Sequence, residues 1–297
     1  MKPYMNPYKS VVPFPTVAAT KTETSEFFNS KVYVTQLKEK IHDVLSRINI
    51  NPDNFEQILS DENMKKFVKS FTHKSFDSEN NYELAELIGD GIINSCVVNY
   101  LRQTYSELTE VKTITRIKHN IISKKTLASL AQSEDFLRFI RLSKEEKEKM
   151  EVIESRSKQF QSRNKPFLSL LEDVFEAFIG TLFEIINELF VGAGYHICYL
   201  LLSTFLSKIE IDLTYEGNVD VKTQFKEICD KAGWKLNQCL EVIEEIQDDK
   251  KIYHTTITIY PYGKKITLRK VSHSVKAASV SQACEGALAY LKAKKFN

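Results

Sequence analysis

No Cys-x-x-Cys pair occurs in this sequence. Its five cysteines (Cys96, Cys198, Cys229, Cys239 and Cys284) are odd in number and far apart. Neither a zinc framework nor a disulfide scaffold is indicated. The opening residues, MKPYMNPYKSVVPFP, lack the apolar core of a secretory signal. Both absences lead to the expectation of a reducing, intracellular compartment, cytoplasmic or nuclear. Richness in Lys, Ile and Asn hints at an AT-rich genome, and a viral source would mean the host cytoplasm. Net charge is also nearly missing: 41 Lys+Arg against 39 Asp+Glu leave +2. Composition alone therefore does not announce a nucleic-acid partner. Its distribution says more. Residues 220–297 hold 14 basic and 9 acidic residues, a balance of +5, and the remainder carries 27 against 30, a balance of −3. A basic module beside a slightly acidic one is compatible with an RNA-binding appendage on a metal-dependent domain.

Strand-like alternation is absent from most of the chain. Residues 1–30 are rich in Pro, Thr, Ser and Tyr without any period and read as a flexible arm. Residues 31–140 give successive helical patterns, among them YVTQLKEKIHDVLSRI and ISKKTLASLAQSEDFLRFI. Residues 141–165 are dense in charge and read as a solvated helix or loop. Apolar helices resume at Phe167 and run to about Leu206. The stretch LFVGAGYHICYLLLSTFL, 189–206, has no Asp, Glu, Lys or Arg. It nearly reaches the length of a membrane span. Gly192, Gly194 and His196 interrupt it, so a buried core helix is expected and no membrane association. Alternation appears only in HTTITIYPYG and KKITLRKVSHS, either side of a turn at Tyr262-Gly263. A linker is expected near 208–218, followed by a helix, three strands and a last helix.

Two apolar helices carry carboxylates in columns. In YELAELIGDGIINSCVVNYL, residues 82–101, the acids Glu83, Glu86 and Asp90 are spaced by 3 and 4 and share one stripe. Gly89 and Gly91 flank the last acid, each costing about 1 kcal/mol relative to alanine in a helix interior. In SLLEDVFEAFIGTLFE, Asp173 and Glu176 are three apart on one face. The plain alternative is that each pair faces solvent. If the four converge, burial and mutual repulsion raise their pKa values, and a divalent cation relieves both. Hard oxygen ligands suit Mg²⁺ or Mn²⁺ in a metal-assisted phosphodiester site.

The ordered set SFTHKSF (70–76), YELAELIGDGIIN (82–94) and LEDVFEAFIGTLFE (171–184) resembles the successive motifs of the ribonuclease III family. The basic stretch TRIKHNIISKKTLASLAQ between them resembles that family too. The resemblance covers roughly residues 50–207. It implies an all-α nuclease domain in which Glu86, Asp90, Asp173 and Glu176 hold Mg²⁺, with Mn²⁺ as a substitute. Asp90 and Glu176 would be the catalytic acids. The implied reaction cleaves each strand of double-stranded RNA, leaving 5′-phosphate and 3′-hydroxyl ends. The helix around Asp90 would lie at a homodimer interface. The sequence departs from the family pattern at Tyr82, which takes the place of an asparagine with Asn81 one residue earlier, at Ala85 and at Gly91. No carboxylate is lost. Glu83 would stand behind the ligands, and His73 and Lys74 read as structural. The charged stretch 141–165 accounts for the long gap between the acid pairs.

VDVKTQFKEICDKAGW resembles the first helix of a double-stranded-RNA-binding domain, with Asp220, Lys222, Thr223, Phe225 and Glu227 on the motif positions. The implied α+β module has the order α-β-β-β-α and reads the shape of A-form RNA. Its contact motifs are thinned. Asp248 and Asp249 fall where a minor-groove loop is expected, and Lys276-Ala277-Ala278-Ser279-Val280 keeps one lysine of three. Lys222, Lys264, Lys265 and Lys276 remain as candidate RNA contacts, with Arg269 and Lys270 able to compensate. The module could instead serve protein contacts. The expected division is an arm at 1–30, a nuclease domain at 31–207, a linker at 208–218 and an RNA-binding-like domain at 219–297. The alternative readings are a non-catalytic, ribosome-associated relative and a protein that sequesters duplex RNA.

Overall fold

The computed structural model describes residues 27–28, 30–247 and 250–294. The expected arm falls almost wholly outside these residues, as do Asp248 and Asp249. The chain divides into two compact units, the boundary lying between Ile211 and Asp212.

The first unit is helical. Helix α1 (Lys31–Leu45) starts at Ser30, whose hydroxyl accepts from the Tyr33 backbone N–H, and buries Tyr33, Leu37, Ile41, Val44 and Leu45. This is the spacing of one apolar stripe. Helices α2 (Pro52–Ile58) and α3 (Asp61–Ser70) follow, the second capped by Ser60 with Asp61 and Glu62 in its first turn, where acids complement the helix dipole. Next come α4 (Glu83–Thr104), α5 (Val111–Ile121) and α6 (Lys124–Ser133). The charged stretch forms α7 (Lys144–Glu154), exposed or half-buried with Met150 as its one buried residue, a solvated helix held by one apolar anchor. Helix α8 (Lys165–Leu189) is the axis of the unit. Its Val174, Phe175, Phe178, Ile179 and Leu182 are fully buried. Phe71, Phe136 and Phe178 interlock edge to face, with Phe136 5.2 Å from each of the other two. Each buried aromatic of this kind contributes on the order of 1.5–3 kcal/mol.

The uncharged run 189–206 splits. Leu189 ends α8, Gly192 turns the chain at φ 84°, and α9 (Gly194–Leu206) buries Cys198, Leu201, Leu202 and Phe205. No helix among the described residues is long and apolar enough to cross a membrane.

The second unit is α+β. A helical turn at Tyr215–Asn218 precedes α10 (Val221–Lys231), capped by Asp220. Strands β1 (Leu240–Gln247), β2 (Lys250–Ile259) and β3 (Ile266–His273) form an antiparallel sheet in sequence order, and α11 (Lys276–Ala293) closes it. Register pairs Val242 with Thr255 and Thr255 with Val271. Phe225, Ile257, Ala283, Ala287 and Leu291 fill the space between helices and sheet. The fold class expected from the sequence, a helical nuclease-type domain before a small α-β-β-β-α unit, is the one observed.

Candidate metal centre

Helices α4 and α8 make the most extensive helix pair of the chain, and they touch backbone to backbone. A Cβ on Gly89 would lie 1.8 Å from the carbonyl oxygen of Glu176, and one on Gly180 would lie 2.0 Å from that of Ala85. Any side chain at either position forces the helices apart. The glycine at 89, weak as a helix former, is therefore required by the crossing. Gly91 is different: a Cβ there meets nothing within 4 Å.

This crossing sets the acids. Glu86 lies one turn before Gly89, and Glu176 and Asp173 precede Gly180 by one and two turns. Their carboxylates meet over the contact point, with one oxygen from each of Glu86, Asp173 and Glu176 within 4.8 Å of the others. The three line a cavity of about 580 Å³ that also takes Glu83, Asp90, Glu172 and Lys124. Glu176 is buried and the other two are half-buried. Burial, and then the charges of Glu172, Asp90, Glu86 and Asp173, push the Glu176 carboxyl up to about 8. Burial, then Asp173 and Glu83, push Glu86 up to about 7. Asp173 is raised as well, mainly by burial, with Lys124 opposing. Without a cation Glu86 and Glu176 tend to hold protons near neutrality.

Asp90 stands apart from the trio. It is exposed, and the Asn94 amide donates to its Oδ1 at 2.8 Å and to its backbone carbonyl at 2.9 Å. Asn94 Oδ1 in turn accepts from Lys118 Nζ at 2.9 Å. A lysine can only donate, so it fixes which end of the Asn94 amide faces Asp90. Three of the four acids singled out in the sequence are thus drawn together. The fourth lines the same cavity, tethered by its neighbour one turn on.

Around the trio, Lys124 and Glu172 had no distinguishing mark in the sequence, whereas Tyr82, Asn81, Glu83, Lys74 and His73 did. Tyr82 is buried and its hydroxyl donates to Asp173 Oδ2 at 3.3 Å; the tyrosine standing in the place of asparagine thus supports a carboxylate. Asn81 accepts from the Glu83 backbone N–H at 3.1 Å and donates to the Asp77 and Ser78 carbonyls, shaping the entry to α4. Lys124 pairs with Glu172 and donates to Ser169 Oγ at 2.9 Å. Glu83 is exposed and pairs with Lys74 at 2.9 Å. His73 is half-buried, its ring against Tyr82 and its Nδ1 bonded to Ser75. Burial lowers its pKa, as befits a neutral ring that organises the loop before α4.

The family model of the Ribonuclease III domain matches residues 83–184, a segment that contains all four acids. The chain is 28% identical over 279 residues to a protein of Invertebrate iridescent virus 6 that is itself only provisionally named a ribonuclease 3, covering 86% of this chain and 87% of that protein. It is 26% identical over 250 residues to the Ribonuclease 3 of Nitratiruptor sp., covering 82% of this chain and 97% of that protein. With the Ribonuclease 3 of Lactobacillus acidophilus it shares 30% identity over 191 residues, 62% of this chain and 74% of that protein. The chain belongs to the ribonuclease III family. Family membership makes it an endoribonuclease of the ribonuclease III type. The acid trio fits the metal dependence general to ribonuclease III enzymes: three hard oxygen donors converge, all raised in pKa, and bringing in a cation discharges them.

In the second unit the candidate RNA contacts are spread out rather than gathered. Lys222, Lys264, Lys265 and Lys276 are all exposed, yet they do not form one patch. Lys264 and Lys265 lie in the β2–β3 turn, whereas Lys276 opens α11 beyond the other end of β3. The eight residues of β3 separate them by roughly 25 Å at the usual rise per residue. Lys276 sits near Glu244, whose pKa it helps to lower, and Glu244 already pairs with Lys251 at 2.7 Å. Ser279 is fully buried, bonded to the Tyr253 carbonyl at 2.9 Å and to Thr255 Oγ1 at 2.7 Å. Val280 packs against the core. These two positions of the thinned basic motif therefore serve the interior.

Proposed function

We propose that this ribonuclease III protein is a Mg²⁺-dependent nuclease that hydrolyses both strands of double-stranded RNA to products with 5′-phosphate and 3′-hydroxyl ends. The observation that carries this reading is the meeting of Glu86, Asp173 and Glu176, with Asp90 on the wall of the same cavity. These four would hold the ion, Mn²⁺ substituting for Mg²⁺, with Asp90 and Glu176 as the catalytic acids. A divalent ion held by these carboxylates would supply polarisation of the phosphoryl oxygen and a water made nucleophilic at neutral pH. The chain supplies the rest. Tyr82 orients Asp173, the Lys118–Asn94 pair orients Asp90, and the Gly89–Gly180 contact sets the spacing. The complete acid set is what a non-catalytic or sequestering relative would have no reason to keep.

The working unit in this reading is a homodimer. Leu84 and Leu87 on α4 are 62% and 71% exposed beside the cavity, and Val98 is 38% exposed farther along. Together with the open space at Gly91 they form a face that a second copy would cover. Sedimentation at micromolar concentration is expected to give a dimer, and Leu87→Glu a monomer. The nuclease domain would span 31–207, joined through 208–218 to a double-stranded-RNA-binding domain at 219–297. Lys222 and Lys276 would add modest affinity there, and Lys264 and Lys265 less. The setting would be intracellular. The direct test is incubation with long duplex RNA, with Mg²⁺ and with chelator, followed by analysis of product ends. Cleavage that persists in chelator, or 3′-phosphate ends, would contradict the reading.

A further inference from the structure

The metal cavity has six carboxylates along its wall and, among the described residues, one cationic side chain, Lys124. Its placement is specific. Lys124 is the first residue of α6 and reaches across to α8, where it pairs with Glu172 and donates to Ser169 Oγ at 2.9 Å. Glu172 is only 14% exposed and adjoins Asp173, whereas the lysine side chain is 44% exposed at the mouth of the cavity. The ammonium thus compensates the acid side of α8 from within the protein and ties α6 to α8 there.

We propose that Lys124 is a built-in counter-cation of the metal centre, a positioning residue that acts through Glu172 and the acid trio to keep the metal-free cavity assembled and to limit its affinity for divalent ions. This rests on the metal-binding reading of the trio given above. The physical argument has two parts. A fixed positive charge repels an incoming cation over the few ångströms that separate them, in a partly buried setting where screening is weak. Glu172, engaged by the lysine, is also withdrawn as a spare ligand. Removing the charge frees a carboxylate and lifts the repulsion together. The neutral variant should bind a divalent ion more tightly, although it has lost an interaction. A lysine with only a structural part would do the opposite, because loosening α6 from α8 would disorder the acids and weaken metal binding.

The test is calorimetric titration of the full chain with Mn²⁺ alone, without RNA, for wild type, Lys124→Met, Lys124→Gln, Lys124→Arg and Glu176→Gln. Thermal melts in chelator run alongside to establish folding. Both neutral variants are expected to bind Mn²⁺ about five- to tenfold more tightly than wild type. Both should melt earlier than wild type in chelator and recover more on adding Mn²⁺. The arginine variant, which keeps the charge, should stay within about twofold of wild type. Equal or weaker binding by the folded neutral variants overturns the role of Lys124 and leaves the metal site standing. Should one neutral variant fail to fold, the other decides. Wild-type protein showing no Mn²⁺ binding that Glu176→Gln removes overturns the metal reading itself, and the proposal falls with it.

Discussion

The two units treat charge in opposite ways. In the helical unit, acids are gathered over a glycine contact with Lys124 beside them, and burial first, then their mutual charges, raise the pKa values of Glu86 and Glu176. In the α+β unit, Lys251 is matched by Glu244 at 2.7 Å, and Lys276 lies close to the same acid. Gathering like charges costs folding energy that only a ligand of opposite sign can return, so a fold keeps such a cluster where it is used. Exposed opposite charges paired on strands contribute little stability, and such a pair weakens the local field that would attract phosphates. The contrast points to the crossing of α4 and α8, rather than the sheet, as the place of the proposed chemistry.

The comparison can be broken most directly at the buried acid. Glu176→Gln should lower cleavage by about three orders of magnitude or more while leaving duplex binding largely intact, because affinity comes from spread phosphate contacts. Single-turnover cleavage and filter binding on the same preparation check this. Wild-type turnover by the variant would place the centre elsewhere.

The second break is steric. Gly89→Ala puts a methyl group into the Glu176 carbonyl, so a loss of at least about 1–3 kcal/mol in chemical denaturation is expected, with cleavage falling too. Gly91→Ala meets open space in the monomer and should gain about 0.5–1 kcal/mol from helix propensity. A gain would mean that the proposed dimer leaves room for a methyl group at this position, and a loss that the second copy packs directly against Gly91.

A third test uses pH in chelator. The folded-state pKa values of Glu86 and Glu176 are raised, to about 7 and about 8 from 4.5. The folded protein therefore binds more protons than the unfolded chain between pH 4.5 and about 8. Stability contributed by these protons is present below pH 4.5 and is lost as pH rises through the folded-state values. Melting temperature in chelator should fall over that window, and Mg²⁺ should flatten the slope. A metal-free protein that gains stability from pH 5 to 8 would show the acids to be already compensated.

The smallest effect is expected in the second unit. Glu244→Gln frees Lys251 and Lys276, so duplex affinity of the full chain should rise a few-fold and the salt slope steepen by about one unit. A salt series with a short, uncleaved duplex in chelator reads both. No change would mean that this edge of the sheet does not face RNA at all.

Much of the site is legible in the spacing of residues along the chain. Glu86 with Asp90, and Asp173 with Glu176, stand out because helical periodicity puts carboxylates where apolar residues are due. The helix–strand–strand–strand–helix order of the second unit is legible from its alternation and turn. Asp90 standing aside from the trio is not, because Asn94 and Lys118 are ordinary residues on two helices. Nor is Lys124, which lies 49 positions from Asp173 and reaches the cavity only through the packing of α6 on α8. Nor is the placement of the candidate RNA contacts legible: an antiparallel β3 carries Lys264 and Lys265 to the opposite end of the sheet from Lys276.

The sequence by itself determined which helices form, which face of each carries acid, and which family the chain resembles. Those properties are written in spacing, and spacing is local. Only the tertiary structure decided that Gly89 and Gly180 meet, that three acids rather than four share one point, and that a lysine and a tyrosine attend them. These are distances between segments far apart in the chain. They are set by how closely two backbones can approach and by which side chain reaches a buried charge first.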